Sequence, residues 1–425
     1  MSGRHGVFIQ EEATHILTMV NVDSALPVVV GTAPVHTLPA GVVPPVHEPR
    51  LLFTPEEFTA QFGSVPEGED AGRYTLAEFA DVYMGLYSVA PVVFINVFDP
   101  AVHTSPVQGG DGTLTKPDVA KVTSADIIGG IDGTTMRRKG LELVASVFPR
   151  FISVPGQVVA PGFSADPAVA LVMGTKCADI NGHFSCTACI DVPSEVRNYT
   201  EAPEWIQDNN LTDKHLIPFF GRPVIGERLM WGSSHLAGAI GRRDADNEGI
   251  PFWSPSNSRL LANGILHNGE LLDLDSQQAG WLNFRGCVTA INFVGGLKVW
   301  GNYTAAYPGV TDVKDVFIPV RRMFSWVGNT LVLSTWQKVD EPIVRVRHIE
   351  SIVDSVNLWL NGLVRRERLI GGKVSFLPGD NPTTDIMNGT VRYRVALTPP
   401  SPAQEIVHIL HYDHNALNNL FSGGN

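Results

Sequence analysis

Apolar and polar residues alternate through Val7–Glu12 and Ile16–Val22, the period of a strand with at most one covered face. Leu26–Gly31 is instead a continuous β-branched apolar run and predicts a strand buried on both faces. Thr54-Pro-Glu-Glu57 supplies an N-cap, a proline for the first helical position and a glutamate at the third, so a helix is expected to run to about Gly63. Thr75-Leu-Ala-Glu78 reads as a second capping box, opening a helix to about Val89, and Val92–Phe98 as a further buried strand. Residues 26–98 thus predict one strand–helix–helix–strand unit. Residues 99–124, rich in Gly, Thr and Pro, read as a loop or insertion. Beyond them the pattern predicts helices at Thr135–Val147, Asp166–Ala178 and Ser194–Gln207, with strands at Phe151–Val154, Phe184–Val192 and Leu216–Phe220. Such alternation implies a mostly parallel sheet with helices on both faces.

After residue 287 the pattern changes. A strand pair, beginning with Cys287–Val294, precedes two long helices, for which Pro319 and Pro342 suit the first turns. In the second helix Val346, Ile349, Val353, Val356, Leu360 and Leu363 form one apolar stripe, with Arg345, His348, Asp354, Asn361 and Arg365 opposite. Lys373–Leu377, Thr390–Leu397 and Glu405–Tyr412 are predicted strands, and a short helix is expected from Asn415.

The chain's 425 residues exceed one ordinary core, and 44% hydrophobic against 17% charged residues describes folded, globular domains. No apolar run is long enough to span a bilayer, and Met1–Gly6 lacks the pattern of a secretory signal. Four cysteines (Cys177, Cys186, Cys189, Cys287) are few and are expected as reduced, buried thiols. A net charge of −12 argues against nucleic acid as a partner. The charge is uneven: residues 1–311 hold 19 Lys/Arg against 32 Asp/Glu, whereas residues 312–373 hold 10 against 7. A basic segment in an acidic chain points to one face made for an acidic partner.

The candidate chemistry is thin. Cys186 and Cys189, with His183 and Cys177 nearby, would face opposite sides of a strand and cannot converge on a metal. His408, His411 and His414 read as surface histidines. Asp244-Ala-Asp-Asn-Glu-Gly249 opens like a calcium loop but has Pro255 where the bidentate Glu belongs. The phosphate-binding glycine patterns, G-x-S-x-G and H-E-x-x-H are all absent. No catalytic residue, metal ligand or cofactor site is assigned.

Two short signatures are more telling: Phe252-Trp-Ser-Pro-Ser-Asn257 and Trp300-Gly-Asn-Tyr-Thr304. Together with His5-Gly-Val7 before Glu11 and Glu12, Val30-Gly-Thr-Ala-Pro34, Ile127–Asp132 followed by Gly140-Leu141, Phe151–Gly156, Phe317–Arg322 and Asn381–Val395 ahead of paired prolines, they make the chain resemble the contractile tail sheath proteins of phages and R-type pyocins. The matches run in order along most of the chain; residues 99–124 match least. The resemblance implies an α/β and α+β multidomain protein: an N-terminal β arm (1–23) packing with the C-terminal domain or neighbouring subunits, an N-terminal α/β domain (24–125), a non-catalytic subtilisin-like parallel α/β domain (126–286), and a C-terminal α+β domain with two long helices and a terminal strand arm (287–425). In that central domain Met173-Gly-Thr-Lys-Cys177 stands where a subtilisin would carry the neighbourhood of its nucleophilic serine.

It further implies a structural protein, not an enzyme, forming stacked hexameric rings in a helical polymer around an inner tail tube protein. Baseplate and tail terminator proteins would be the other partners, without nucleic acid, membrane insertion or cofactor. The place of action would be the virion tail, after assembly in the host bacterial cytoplasm. Strand pairing between subunits is expected from Val7, Phe8, Ile9 and Glu11 and from Ile406, Val407, Ile409 and Leu410, because lone alternating strands present free edges. Tube contact is expected from Arg321, Arg322, Arg365, Arg366, Arg368 and Lys373. The alternatives are a diverged α/β hydrolase and the sheath of a tailocin or bacterial contractile injection system.

Overall fold

The computed structural model describes residues 17–109, 112–342 and 346–417. Its centre is a six-stranded sheet of β1 (Pro27–Gly31), β2 (Arg50–Leu52), β3 (Val92–Asn96), β4 (Gln157–Val159), β5 (Thr187–Asp191) and β6 (Leu216–Phe219), in the order β6-β5-β4-β1-β3-β2. All neighbours are parallel except the edge pair β2 and β3. Every residue of β1, β3, β4, β5 and β6 is buried, as continuous apolar runs require when helices cover both faces. Because β1 to β3 and β4 to β6 share this sheet and one core, the expected boundary near residue 125 cuts through a single hydrophobic unit.

Helix α1 (Pro55–Phe62) starts as its sequence predicts: the Thr54 side chain accepts from the Glu57 N–H, and Pro55 opens the first turn. The second expected cap fails. Helix α2 (Thr75–Ala80) begins at Thr75 itself, whose hydroxyl receives the Thr32 N–H at 3.3 Å, and the helix runs on as π-helical turns over Asp81–Leu86. The Glu78 side chain turns into the interior instead. The predicted helix at Thr135–Val147 is a two-residue bridge pair, a 3-10 segment (Gly140–Ser146) and a short helix (Val147–Phe151); Gly140 at φ +57° breaks the regular path. The strand expected at Phe151–Val154 lies instead at β4, because only after Pro155 does the backbone reach β1, with the Gly156 N–H on the Leu26 carbonyl at 2.8 Å. The supposed loop at 99–124 contains an antiparallel hairpin, Thr104–Gly109 with Gly112–Pro117. Helix α3 (Pro167–Ala178) falls where expected, capped by Asp166.

Helix α4 (Gly232–Ala245) has no counterpart among the predicted elements. It is buried on nearly all sides, so it carries no polar stripe to announce it. Gly238 and Gly241 admit the rings of Tyr87 and Tyr83: a Cβ at either position would lie 2.4 Å from ring or hydroxyl atoms.

The C-terminal part continues this body. The Phe220 N–H bonds the Val288 carbonyl and the Val288 N–H the Pro218 carbonyl, each at 2.8 Å. The chain then forms helix α5 (Ser276–Asn283) before this contact, the hairpin β7 (Thr289–Phe293)–β8 (Gly296–Trp300), helices α6 (Ile318–Thr335) and α7 (Val346–Arg365), and the pair β9 (Gly371–Ser375)–β10 (Arg394–Thr398). Pro319 sits in the first turn of α6 as predicted; Pro342 lies four residues ahead of α7. Val356, Leu360 and Leu363 of the predicted stripe are buried, whereas Asp354, Asn361 and Arg365 are exposed. No strand forms over Glu405–Tyr412. That segment has no ladder partner among the described residues, and a strand without one leaves its backbone groups to solvent.

Residues 17–25 tie the parts together without forming a strand. The Leu17 and Val20 N–H groups donate to Ser355 Oγ and Ser334 Oγ, and Trp326 Nε1 donates to the Val22 carbonyl at 2.8 Å. Next to them lies a buried polar knot. Arg322 Nη1 donates to Asp244 Oδ1 at 2.9 Å, Arg322 Nη2 to the Ser24 carbonyl at 3.0 Å, and Ser24 Oγ to Asp244 Oδ2 at 2.7 Å. With Arg322 4% and Asp244 1% exposed, removing one partner strands a charge in the interior. Arg322→Met is expected to destabilise the chain by about 3–5 kcal/mol. Arg322→Met/Asp244→Leu should recover much of that loss. Urea denaturation of both variants checks the pair; equal losses would mean that the charge pairing is immaterial.

Candidate functional site

Open α/β sheets bind ligands at the carboxyl ends of the strands, where the strand order reverses. In this chain that reversal lies between β1, β3 and β4, and its own side chains fill the place. Asp191, at the end of β5 and 3% exposed, has Oδ1 on the Ser233 N–H (2.8 Å) and Oδ2 on the hydroxyls of Ser233 (2.7 Å) and Ser164 (2.9 Å) and on the Gly162 N–H (3.1 Å). The N-terminus of α4, the usual seat for an anion, therefore already holds a carboxylate.

Beside it, Glu78 Oε1 accepts from the Trp231 N–H at 2.7 Å, while Oε2 has no partner among the described residues. Burial pushes the Glu78 carboxyl up to about 8, against the opposing pull of the Trp231 N–H and Arg222. Trp231 closes the crevice. Its ring lies against Gly162, at φ +77°, where a Cβ would come within 2.6 Å, and the Arg222 guanidinium stacks on it at 3.7 Å.

Other chemistry-bearing groups are equally enclosed. Burial pushes His235 down to about 3, and its Nδ1 lies 3.4 Å from Tyr87 Oη. All four cysteines are buried and free, and burial pushes the Cys189 thiol up to about 12. His183, by contrast, is exposed and packs edge-on to Trp336, with ring centroids 5.0 Å apart. Among the described residues no group of three or more His, Cys, Asp or Glu is placed to hold a metal ion. Asp244 of the calcium-like stretch is spent on Arg322.

The two signatures meet one another. Ser256 Oγ accepts from the Gly301 N–H at 3.1 Å, and the Asn257 N–H donates to the Val299 carbonyl at 2.7 Å. Gly301, at φ +141°, lies so close to Val288 that a Cβ would come within 2.9 Å of its Cα. Asn302 is a socket: its N–H donates to Asn283 Oδ1, and its Nδ2 donates to Gln404 Oε1 at 2.6 Å. The terminal segment leaves the body at that point. Beyond it, Ile406, Val407, Ile409 and Leu410 are 74%, 67%, 89% and 95% exposed. Val7, Phe8, Ile9 and Glu11 lie outside the described residues.

The expected basic face divides. Arg322 is buried in the knot and so is removed from any surface. Arg321, nearly buried, bonds Asp315 at 3.0 Å. Arg366 and Arg368 both hold Glu248, at 3.0 and 3.4 Å. Arg365 and Lys373 are exposed and make no ion pair among the described residues. Sequence reasoning missed Glu78, Asp191 and Asp244 as interior residues; the spacing of Gly238 and Gly241 was the one local sign of a closely packed helix.

A crevice closed by the chain's own side chains and an apolar segment left outside define a protein whose unfinished surfaces lie at its periphery. No family model matches the chain. It is 26% identical over 481 aligned positions, covering 95% of both chains, to the tail sheath protein of Burkholderia phage BcepMu. To a putative prophage major tail sheath protein of Pseudomonas aeruginosa it is 25% identical, with 92% and 94% covered. Among solved structures it matches the sheath of the extracellular contractile injection system PVC in its contracted state (TM-score 0.67, 16% identity, 98% and 99% covered). It also matches the contracted helical sheath of the anti-feeding prophage (TM-score 0.64, 16% identity, 97% and 100% covered). From end to end the chain is similar to contractile tail sheath proteins, and the sheath reading is supported over the diverged hydrolase.

Protonation of Glu78 has a definite sign. Between its ordinary 4.5 and about 8 the folded chain holds a proton that the unfolded chain has lost, so stability falls as pH rises through that window. Glu78→Gln removes the penalty. Its melting temperature should match the wild type near pH 4.5 and exceed it increasingly towards pH 9, where the gain is on the order of 5 kcal/mol. A constant difference across a calorimetric pH series would show that the carboxyl is not the cause.

Proposed function

We propose that this chain polymerises as stacked six-membered rings around an inner tube and contracts to drive the tube through a target cell envelope. The observation that carries the reading is the segment after Gln404, whose apolar residues stand almost fully in solvent without a strand partner. Such a segment is completed by the sheet edge of another copy. Main-chain pairing of this kind depends little on side-chain packing, so it persists while the bodies rotate past one another. A head-to-tail contact that does not close on itself gives a helical polymer.

The end-to-end likeness to tail sheath proteins supports the same reading. On that likeness the sheet body corresponds to the non-catalytic, subtilisin-like domain expected from the sequence, the baseplate and tail terminator are further partners, and assembly takes place in the host cytoplasm. No catalytic step is part of the proposal: the energy is stored in a metastable extended form and released when subunit contacts improve. Electron microscopy of concentrated protein tests it. Tubes of uniform width are expected; featureless monomers with hydrolytic activity would favour the hydrolase.

Deleting residues 1–16 should leave a soluble, cooperatively melting chain, because the contacts of residues 17–25 with the core and helices remain. The same deletion should abolish polymerisation, read by sedimentation. Tubes built by the truncated chain would refute strand sharing through Val7, Phe8, Ile9 and Glu11.

Of the basic residues, Arg365 and Lys373 are those free to meet an acidic tube, with Arg366 available once it leaves Glu248. Exposed ion pairs contribute at most about 1 kcal/mol each and weaken with salt, but repetition along a polymer multiplies them. Reversing Arg365 and Arg366 to Glu should weaken co-sedimentation with the cognate tube, most at low salt, and leave the melting temperature nearly unchanged. Salt-insensitive, undiminished co-assembly would remove this face from the tube contact.

A further inference from the structure

A concavity of about 360 Å³ opens where the leader passes the π-helical turn and the end of α4. Its walls include Val22, Val89, Ala90 and Pro91, with Tyr83 behind them, and two carboxylates line it, Asp23 and Glu248. Glu248 already holds Arg366 and Arg368. Asp23 makes no ion pair with any described residue; Oδ1 takes the Ala25 N–H at 2.9 Å. The nearby Arg322 is committed to Asp244 and to the Ser24 carbonyl. We infer that this concavity receives a lysine or arginine side chain from a second copy of the chain, with its methylene stem on the apolar wall and its cationic head on Asp23.

Charge and shape carry the inference. A long basic side chain has an apolar stem and a charged tip, and the concavity offers a surface for each. The same chain supplies cations besides those given to the tube: Lys121, Arg137 and Arg138 are exposed and without an ion pair among the described residues. In the free subunit the Asp23 side chain is exposed at the mouth of the concavity and its charge is unpaired among the described residues. Desolvation by the walls, and then the neighbouring Asp244, hold the Asp23 carboxyl above its usual range against the Ala25 N–H and Arg322.

The inference rests on the polymer reading, and the test separates the two. Asp23→Asn keeps the acceptor for the Ala25 N–H and removes the charge. In the free subunit its melting temperature should hold or rise, while the protein concentration needed for polymerisation rises about tenfold, one charge-assisted contact being on the order of 1.4 kcal/mol. A fall in melting temperature together with polymerisation would mean a merely structural role and overturn the inference, as would unaltered polymerisation. The second arm uses agmatine, a guanidinium on a four-carbon stem, at matched ionic strength. It should raise the melting temperature of the wild-type subunit and not that of Asp23→Asn. Equal shifts, or none, would overturn the inference. If agmatine acts only after residues 1–16 are deleted, the chain's own leader is the occupant and the second-copy assignment falls. Should the wild type fail to polymerise, the polymer reading fails, and the agmatine arm still decides the site.

Discussion

The buried contact of Arg322 with Asp244 and Ser24 is the constraint on which the rest of this structure depends. It joins three stretches that are remote in sequence: the leader before β1, the end of α4 and the start of α6. Apolar packing alone would leave α6 free to slide along the sheet body, since hydrophobic contact is non-directional. A guanidinium bound to both carboxylate oxygens and to a backbone carbonyl admits one register. The reciprocal bonds of Asn329 with Ser185, at 2.8 and 3.0 Å, fix α6 a second time, two turns along. The long C-terminal helices and the sheet are thereby held as one body.

A single body suits a protein whose work is mechanical. Where an α/β enzyme would keep a ligand, Asp191 satisfies the N-terminus of α4, and Trp231 lies against Gly162. The cost of this closure is the neutral, half-satisfied Glu78. In a low-dielectric interior a carboxyl without enough donors keeps its proton rather than its charge. What remains open is at the edge: the segment beyond Gln404, the strands β9 and β10, and the basic residues at the end of α7.

The two signatures acquire a physical meaning from this arrangement. Neither performs chemistry. Ser256 and Asn257 pin the backbone at Gly301 and at Val299, Gly301 lets that backbone pass Val288, and Asn302 fastens Gln404. The segment beyond Gln404 is thus fastened to a residue about a hundred positions upstream by a side-chain hydrogen bond. Amide side chains serve there because each donates and accepts at once.

The sequence by itself determined the elements whose signals are local. Continuous β-branched runs became the buried strands β1 and β3, the Thr54 cap opened α1, and the stripe from Val356 to Leu363 buried one face of α7, because burial and capping act within a few residues. The general likeness to sheath proteins was legible because the two signatures are short runs of particular residues, although the contacts that hold them, Ser256 to Gly301 and Asn302 to Gln404, are remote in sequence. Tertiary structure alone decided the fate of charged and small residues. Arg322 reads as a surface cation until Asp244 is found beside it, Glu78 as a helix cap until Trp231 turns it inward. Helix α4 shows no stripe because it is covered on nearly all sides. The strand-like residues 405–412 stay unpaired because a ladder needs a second strand, and no residue of the described body supplies one.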